Sequence, residues 1–133
     1  MRYLLDTNIF IAAMKGDTNV RTVLERTLLA DLVLSTVVLG ELQLGVEKSA
    51  YREKNQLKLN ALLNQIEIAP IDDRVSRLYA KLRADLESHG TPIGANDYWI
   101  AAHALALGAT LVTDNVSEFN RVNGLATENW LRP

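Results

Sequence analysis

Short apolar runs that are bounded by polar residues recur along the chain. They are Tyr3–Leu5, Leu32–Leu34, Ile66–Ala69 and Thr110–Val112. A run that is apolar at every position is typical of a strand buried on both faces, as in a parallel sheet. The polar tail from Asn123 to Pro133 is expected to end in a short edge strand.

Between these runs, apolar residues recur with a period of about 3.6, which predicts helices. Four of the stripes are Val20/Val23/Leu24/Leu28, Val38/Leu42/Val46, Leu59/Leu62/Leu63 and Val75/Leu78/Tyr79/Leu82/Leu86, and a fifth helix begins after Pro92-Ile93-Gly94 and ends at Gly108. Asp17 or Thr18 is the expected cap of the first helix, and Asp72 or Asp73 that of the fourth. The alternation of strands and helices predicts an α/β fold with a parallel sheet, right-handed crossovers and helices on both faces.

Composition limits the class of protein. A length of 133 residues suits a single domain over residues 1–133, and 48% apolar with 23% charged residues is typical of a globular chain. Cysteine is absent, so disulfides and thiolate metal sites are excluded. No apolar tract approaches the roughly 20 residues of a membrane span, and Met1 leads directly into the first strand without a signal peptide. We therefore expect a cytoplasmic protein without a membrane association.

Acidic residues follow the predicted strands. Asp6 comes directly after the first strand, Glu41 lies one helical turn beyond Ser35-Thr36 at the end of the second, and Asp114 follows the last. Ligands of open α/β sheets bind outside the carboxyl ends of the strands, where parallel strands would bring these three acids to one edge.

A fourth acid, Asp97, lies in the first turn of the fifth predicted helix. It shares a helix face with Ala101 and Ala104, at offsets of four and seven residues. That face of small side chains suits close packing on the sheet, so Asp97 is expected near the inward side, where the positive end of the helix dipole favours a carboxylate.

Four carboxylates around one cleft would repel one another, and a divalent cation would relieve that repulsion. Oxygen ligands without cysteine favour Mg²⁺ or Mn²⁺ over Zn²⁺. Such an ion typically activates a water for attack on phosphorus, so the residues predict metal-dependent phosphodiester hydrolysis. Each acid also has a structural alternative: Asp6 as a helix cap, Asp97 as an ordinary first-turn acid, Glu41 as a solvated helix residue and Asp114 as a turn residue.

Other polar and aromatic residues favour packing or solvated roles. His103, Trp99 and Trp130 are expected to pack in or near the core. The spacing of four residues within Lys48/Arg52 and within Lys54/Lys58 predicts a basic ridge on a helix. This ridge is either a plain solvated face or a track for a phosphate backbone. The formal net charge of −2 argues against binding nucleic acid through overall positive charge.

The ordered motifs of the chain resemble those of the PIN-domain ribonucleases, and most closely the VapC toxins of bacterial type II toxin–antitoxin modules. The motifs span nearly the whole chain and are Leu4-Leu5-Asp6-Thr7-Asn8, Ser35-Thr36 with Glu41-Leu42, Ile93-Gly94-Ala95-Asn96-Asp97 leading into Ile100-Ala101-Ala102-His103-Ala104, Leu111-Val112-Thr113-Asp114-Asn115 with Glu118-Phe119, and the tail residues Val122-Asn123-Gly124-Leu125 and Glu128-Asn129-Trp130.

This resemblance implies a PIN-like three-layer α/β/α sandwich with strand order 3-2-1-4-5 and a Mg²⁺- or Mn²⁺-dependent endoribonuclease. Asp6 and Asp97 would be the principal metal ligands, with Glu41 and Asp114 acting directly or through water. The implied orienting residues are Thr7, Asn8, Thr113 and Asn115. Whether Asp114 or Asn115 faces the metal stays open.

The resemblance also implies partners, and the sequence leaves alternatives. A homodimer, a VapB-type antitoxin and an RNA substrate such as tRNA are expected. The alternatives are a catalytically inert PIN-like binding module and a phosphoacceptor signalling domain. The latter would need an acidic pair after the first strand and a lysine after the last, whereas Thr7-Asn8 and Thr113-Asp114 stand there.

Overall fold

A parallel sheet of five strands forms the centre of the protein. A computed structural model describes all residues, 1–133. The strands are β1 (Tyr3–Leu5), β2 (Leu32–Ser35), β3 (Glu67–Ala69), β4 (Thr110–Val112) and β5 (Thr127–Glu128). They pair in the order β3-β2-β1-β4-β5, so the predicted order is confirmed. Leu4 is in register with Val33 on one side and Leu111 on the other.

Seven α-helices connect and cover the strands: α1 (Thr7–Met14), α2 (Thr18–Glu25), α3 (Thr36–Lys48), α4 (Arg52–Leu63), α5 (Asp73–Ser88), α6 (Ala95–Leu107) and α7 (Val116–Phe119). Asp17 caps α2 by accepting from the Val20 N–H at 3.0 Å, and Asp72 caps α5 through the Val75 N–H at 3.0 Å. Gly108 ends α6 in the left-handed conformation, with a φ of 63°. No helix is both long and apolar enough to cross a membrane.

The sequence pattern missed two helices and misplaced one residue. α1 and α7 were not predicted as helices, although a cap at Asp6 was considered. Leu28 was assigned to the stripe of α2, but this helix ends at Glu25, and Leu28 is 70% exposed in the segment that follows.

The core lies around the three central strands and α6. Leu4, Val33 and Leu111 are fully buried, as are Ala101 and Ala104 of α6. The small side chains of α6 let this helix approach its neighbours α5, α3 and β4 closely. Because α6 begins beside the carboxyl ends of β1 and β4, its first turn faces the sheet edge where Asp6 lies.

Candidate active site

Asp6 lies where β1 ends and α1 begins, and its carboxylate is buried and held by donors. It is the N-cap of α1, accepting from the Thr7 N–H at 2.8 Å. Its other oxygen accepts from the Thr113 hydroxyl at 2.9 Å. The pKa of Asp6 is raised, chiefly by burial and to a smaller extent by nearby Glu41 and Glu118. The hydrogen bonds from Thr113 and Thr7 act in the opposite direction. Capping and a place in the acidic group are therefore both properties of this residue.

Glu41 joins the group through Thr7. It lies in α3, which begins at the end of β2, and its Oε1 accepts from the Thr7 hydroxyl at 2.6 Å. Thr7 is next to Asp6 in sequence, so this hydrogen bond fixes Glu41 relative to the end of β1. This hydrogen bond holds the Glu41 side chain of α3 at the edge of the sheet.

Asp97 is half-buried in the first turn of α6 and faces other acids. Burial is the main cause that raises its pKa to about 7; nearby Glu118 contributes next, through charge repulsion and a shared hydrogen bond, and Asp6 and Glu41 add smaller effects. Burial and the neighbouring acids therefore both disfavour the ionised form of Asp97.

Glu118 is the acid beside Asp97, and the sequence analysis did not include it among the site residues. It lies in α7; its Oε1 accepts from the Gly94 N–H at 2.9 Å, and its Oε2 accepts from the Asn115 amide. A Cβ at Gly94 would lie 3.2 Å from Oδ2 of Asp97. The absence of a side chain there lets the two acids sit together. The Glu118-Phe119 motif was the available signal, but a helix of four residues leaves no periodicity.

Asp114 is directed toward the C-terminal tail. Its Oδ1 accepts from the Asn129 amide at 3.1 Å and pairs with Arg132 at 3.3 Å. The catalytic role of Asp114 therefore stays a prediction, and the hydrogen bonds of this residue do not support it. The acid that contacts Asp97 is Glu118, so the geometry at this edge differs from the expected one.

The predicted orienting residues have different surroundings. Thr113 is fully buried, donating to Asp6 and accepting from the Asn115 N–H at 3.0 Å. The Asn115 amide donates to Glu118. Asn8 is exposed on α1.

The predicted basic ridge does not lie on one helix. Lys48 ends α3 and Arg52 begins α4, with a turn between them, so the spacing of four residues there is not a helical pair. Arg52 pairs with Glu47 at 3.8 Å. Lys54 and Lys58 do lie together in α4. Contact of any of these four residues with RNA stays a prediction.

The three residues expected to pack do so. His103 is 1% exposed, and its Nδ1 lies 2.8 Å from the hydroxyl oxygen of buried Ser35; burial lowers the pKa of His103. Trp99 stacks on Tyr79 with ring centroids 3.7 Å apart. Trp130 is buried and packs against Tyr3 in an edge-to-face arrangement, with ring centroids 5.2 Å apart.

The donor set of the acidic edge suits a hard dication with water ligands. All its charged donors are carboxylate oxygens, the preferred ligands of Mg²⁺ and Mn²⁺. As placed, no three acidic or histidine side chains converge closely enough to enclose an ion by themselves. Mg²⁺ is commonly held by one or two carboxylates and several waters, so this spacing fits such an ion.

The chain matches a known domain family over most of its length. The sequence pattern of the PIN domain family matches residues 3–125. The protein therefore belongs to the PIN domain family, in agreement with the resemblance and with the strand order.

Within this family the chain is similar to proteins named VapC. It is 42% identical to Ribonuclease VapC2 of Rickettsia felis and 36% identical to the tRNA(fMet)-specific endonuclease VapC of Shigella flexneri, over 98% of both chains in each case. Its fold matches a crystal structure of VapBC2 from Rickettsia felis bound to a DNA fragment from their promoter, with a TM-score of 0.90, 43% identity, and coverage of 98% of this chain and 99% of that chain.

Proposed function

We propose that this protein is a Mg²⁺- or Mn²⁺-dependent endoribonuclease and the toxin of a VapBC-type toxin–antitoxin pair. The observation that carries the proposal is the acidic group of Asp6, Glu41, Asp97 and Glu118, in which burial first and the neighbouring carboxylates next raise the pKa of Asp97 to about 7. Buried negative charge without a protein cation is expensive. A site that retains it is suited to a bound cation. The ribonuclease names of the relatives support RNA as the substrate.

Asp6 and Asp97 are the proposed direct metal ligands. Asp6 is fixed by Thr7 and Thr113, so its oxygens have one orientation, while Asp97 is placed by the first turn of α6. A divalent cation bound there would lower the pKa of a coordinated water and offset charge on the phosphorus oxygens. Glu41 and Glu118 are placed to accept hydrogen bonds from waters at the edge of the group.

Thr7 and Gly94 hold these two glutamates. The Thr7 hydroxyl donates to Glu41, and the Gly94 N–H donates to Glu118, so one oxygen of each carboxylate is occupied. The second oxygen of Glu118 accepts from Asn115, which limits its rotation further. Restrained carboxylates of this kind can orient an attacking water and receive its proton.

The substrate and partner are proposed from the relatives. The Shigella relative is named as specific for tRNA(fMet), and we propose a structured RNA such as tRNA for this chain as well. The Rickettsia structure is of a VapBC pair, which supports a cognate antitoxin here. A homodimer stays part of the proposal.

A cleavage assay tests the proposal. Purified protein is incubated with total tRNA in Mg²⁺, in Mn²⁺ and in EDTA, beside Asp97→Asn and a control variant, Asp114→Asn. Discrete fragments are expected with either metal from the wild type and the control, and none in EDTA or from Asp97→Asn. Uncut RNA under all conditions would support an inert binding module instead, and cleavage that persists in EDTA would refute metal dependence.

A further inference from the structure

A cavity lies beside the acidic group, between α1, α3 and α4. Its volume is about 280 Å³. Its apolar lining comes from all three helices, through Ile11, Met14, Leu42, Val46 and Leu59. Small-molecule pockets commonly measure about 300–1,000 Å³, so this one suits a small planar group rather than an extended ligand.

Glu41 lines both the cavity and the acidic group. Its carboxylate accepts from Thr7, next to Asp6, and it also forms part of the cavity wall. A polymer with its scissile bond at the acids would therefore place a neighbouring unit at the mouth of the cavity.

The remaining polar groups of the cavity suit a nucleotide. Lys15, at the end of α1, and Lys58, in α4, add positive charge to the lining of the cavity. Asn55 also lines the cavity, and its amide nitrogen donates to Ser49 at 2.7 Å. Its side-chain carbonyl is thereby left to accept from a donor on a base edge.

We propose that this cavity is a subsite for one nucleobase of the RNA, adjacent to the scissile phosphate. The inference rests on the proposed ribonuclease function. The apolar walls pack against the faces of the base, and the Asn55 side-chain carbonyl accepts a hydrogen bond from an N–H on the edge of the base. Lys15 and Lys58 contact the flanking phosphates. These two lysines provide local positive charge in a chain whose formal net charge is −2.

Two glycines of α3 provide a matched pair of variants. Gly45 lines the cavity and Gly40 is exposed on the same helix outside it. A Cβ added at either position meets no atom within 4 Å. Gly45→Met therefore fills the cavity without disturbing the core, and Gly40→Met adds the same side chain elsewhere. Neither glycine belongs to the acidic group.

The experiment uses a single-stranded RNA library with randomised sequence, whose cut sites are determined by sequencing in Mn²⁺. The wild type and Gly40→Met are expected to prefer particular bases at one position next to the cut. Gly45→Met is expected to lose that preference. Its cleavage rate on the preferred sequences should fall by up to about tenfold, which is the scale of discrimination by one pocket. Thermal unfolding checks that both variants fold.

A charge variant gives a second readout. Lys58→Met is expected to weaken binding of the library RNA and to lower the slope of log affinity against log salt by about 0.7, the value for one lost contact with a single-stranded phosphate. A uniform structural defect would leave the slope unchanged.

The outcomes separate the subsite from the ribonuclease function. If the wild type cuts total tRNA but leaves the library uncut, only the subsite is refuted, and if it cuts neither, both are refuted. If Gly45→Met cuts at the same sites and rates as Gly40→Met, only the subsite is refuted. If Gly45→Met cuts normally but escapes neutralisation by the co-expressed antitoxin, the cavity belongs to the protein partner and the subsite is likewise overturned.

Discussion

The two central aspartates of the acidic group have opposite surroundings. Asp6 is buried, but its oxygens accept from the Thr7 N–H and the Thr113 hydroxyl. Asp97 is less buried, yet it lies against Glu118, and its pKa is raised to about 7. Protein donors offset part of the cost of burying the Asp6 carboxylate, whose pKa burial still raises, whereas the Asp97 carboxylate lies beside another acid.

This difference indicates what each aspartate contributes. Asp6 links β1, α1 and β4 and supports the fold as well as the site. Asp97 and Glu118 form a pair that folding alone does not favour, since close carboxylates disfavour each other's ionised form. Strain of this kind is common where function requires it.

Removing the Asp97 charge should abolish most of the activity. We expect Asp97→Asn to reduce RNA cleavage on the order of 100-fold or more, the scale for removing one electrostatic group from an active site. The same variant should raise the melting temperature of the metal-free protein at pH 8, because it removes the repulsion with Glu118. Cleavage and calorimetry on one preparation measure both effects, and a lower melting temperature would contradict this view of Asp97.

Thr113→Val tests the contribution of the protein donors that hold Asp6. It removes the donor to Asp6 and the acceptor for the Asn115 N–H with little change in shape. Leaving a buried polar group unpaired costs about 1–3 kcal/mol, so the free energy of unfolding should fall by that amount. Urea denaturation measures it. Thr7→Val removes the hydroxyl donor to Glu41 from a less buried residue and should destabilise less. An unchanged free energy of unfolding in Thr113→Val would show that Asp6 does not depend on Thr113.

The pH dependence of stability follows from Asp97. Its pKa is about 7 in the folded protein against an ordinary value of 3.8, so between these pH values the folded state holds a proton that the unfolded chain has released. Stability of the metal-free protein should therefore fall as pH rises from about 4 to above 7. Melting curves in EDTA test this, with Asp97→Asn as the control that should show a smaller fall. Added Mg²⁺ should oppose the fall, since the cation binds the ionised form.

The smallest effect is expected at Asp114. Its carboxylate pairs with Asn129 and with exposed Arg132, contacts whose loss is usually worth less than about 1 kcal/mol. Asp114→Asn should therefore leave the cleavage rate within about twofold of the wild type. A loss as large as that of Asp97→Asn would restore Asp114 to the catalytic group.

The three central strands were predictable from sequence because β1, β2 and β4 are mostly apolar, and β3 was predicted although Glu67 interrupts its run. The order of the strands came from the family resemblance. α1 was missed because Thr7–Met14 is apolar around most of its surface, which hides the helical period. The pairing of Lys48 with Arg52 failed because a turn at Ser49–Tyr51 separates two helices.

The site was predictable only in part, for a related reason. Asp6 and Asp97 were found because strand ends and a small-residue helix face mark their positions. The choice between Asp114 and Glu118 depends on which side chain turns toward α6. Asn129 and Arg132 hold the Asp114 side chain, and the Gly94 N–H holds the Glu118 side chain. These contacts join residues that are far apart in sequence.

Calorimetric titration with Mn²⁺ at pH 7.5, using the wild type, Asp97→Asn and Asp114→Asn, measures whether the carboxylates form a cation site. We expect the wild type and Asp114→Asn to bind the ion with the same affinity and Asp97→Asn to bind it at least about tenfold more weakly, as for loss of a metal-site residue. Equal affinity of Asp97→Asn and the wild type, or no binding by the wild type, would contradict a cation site formed by these carboxylates.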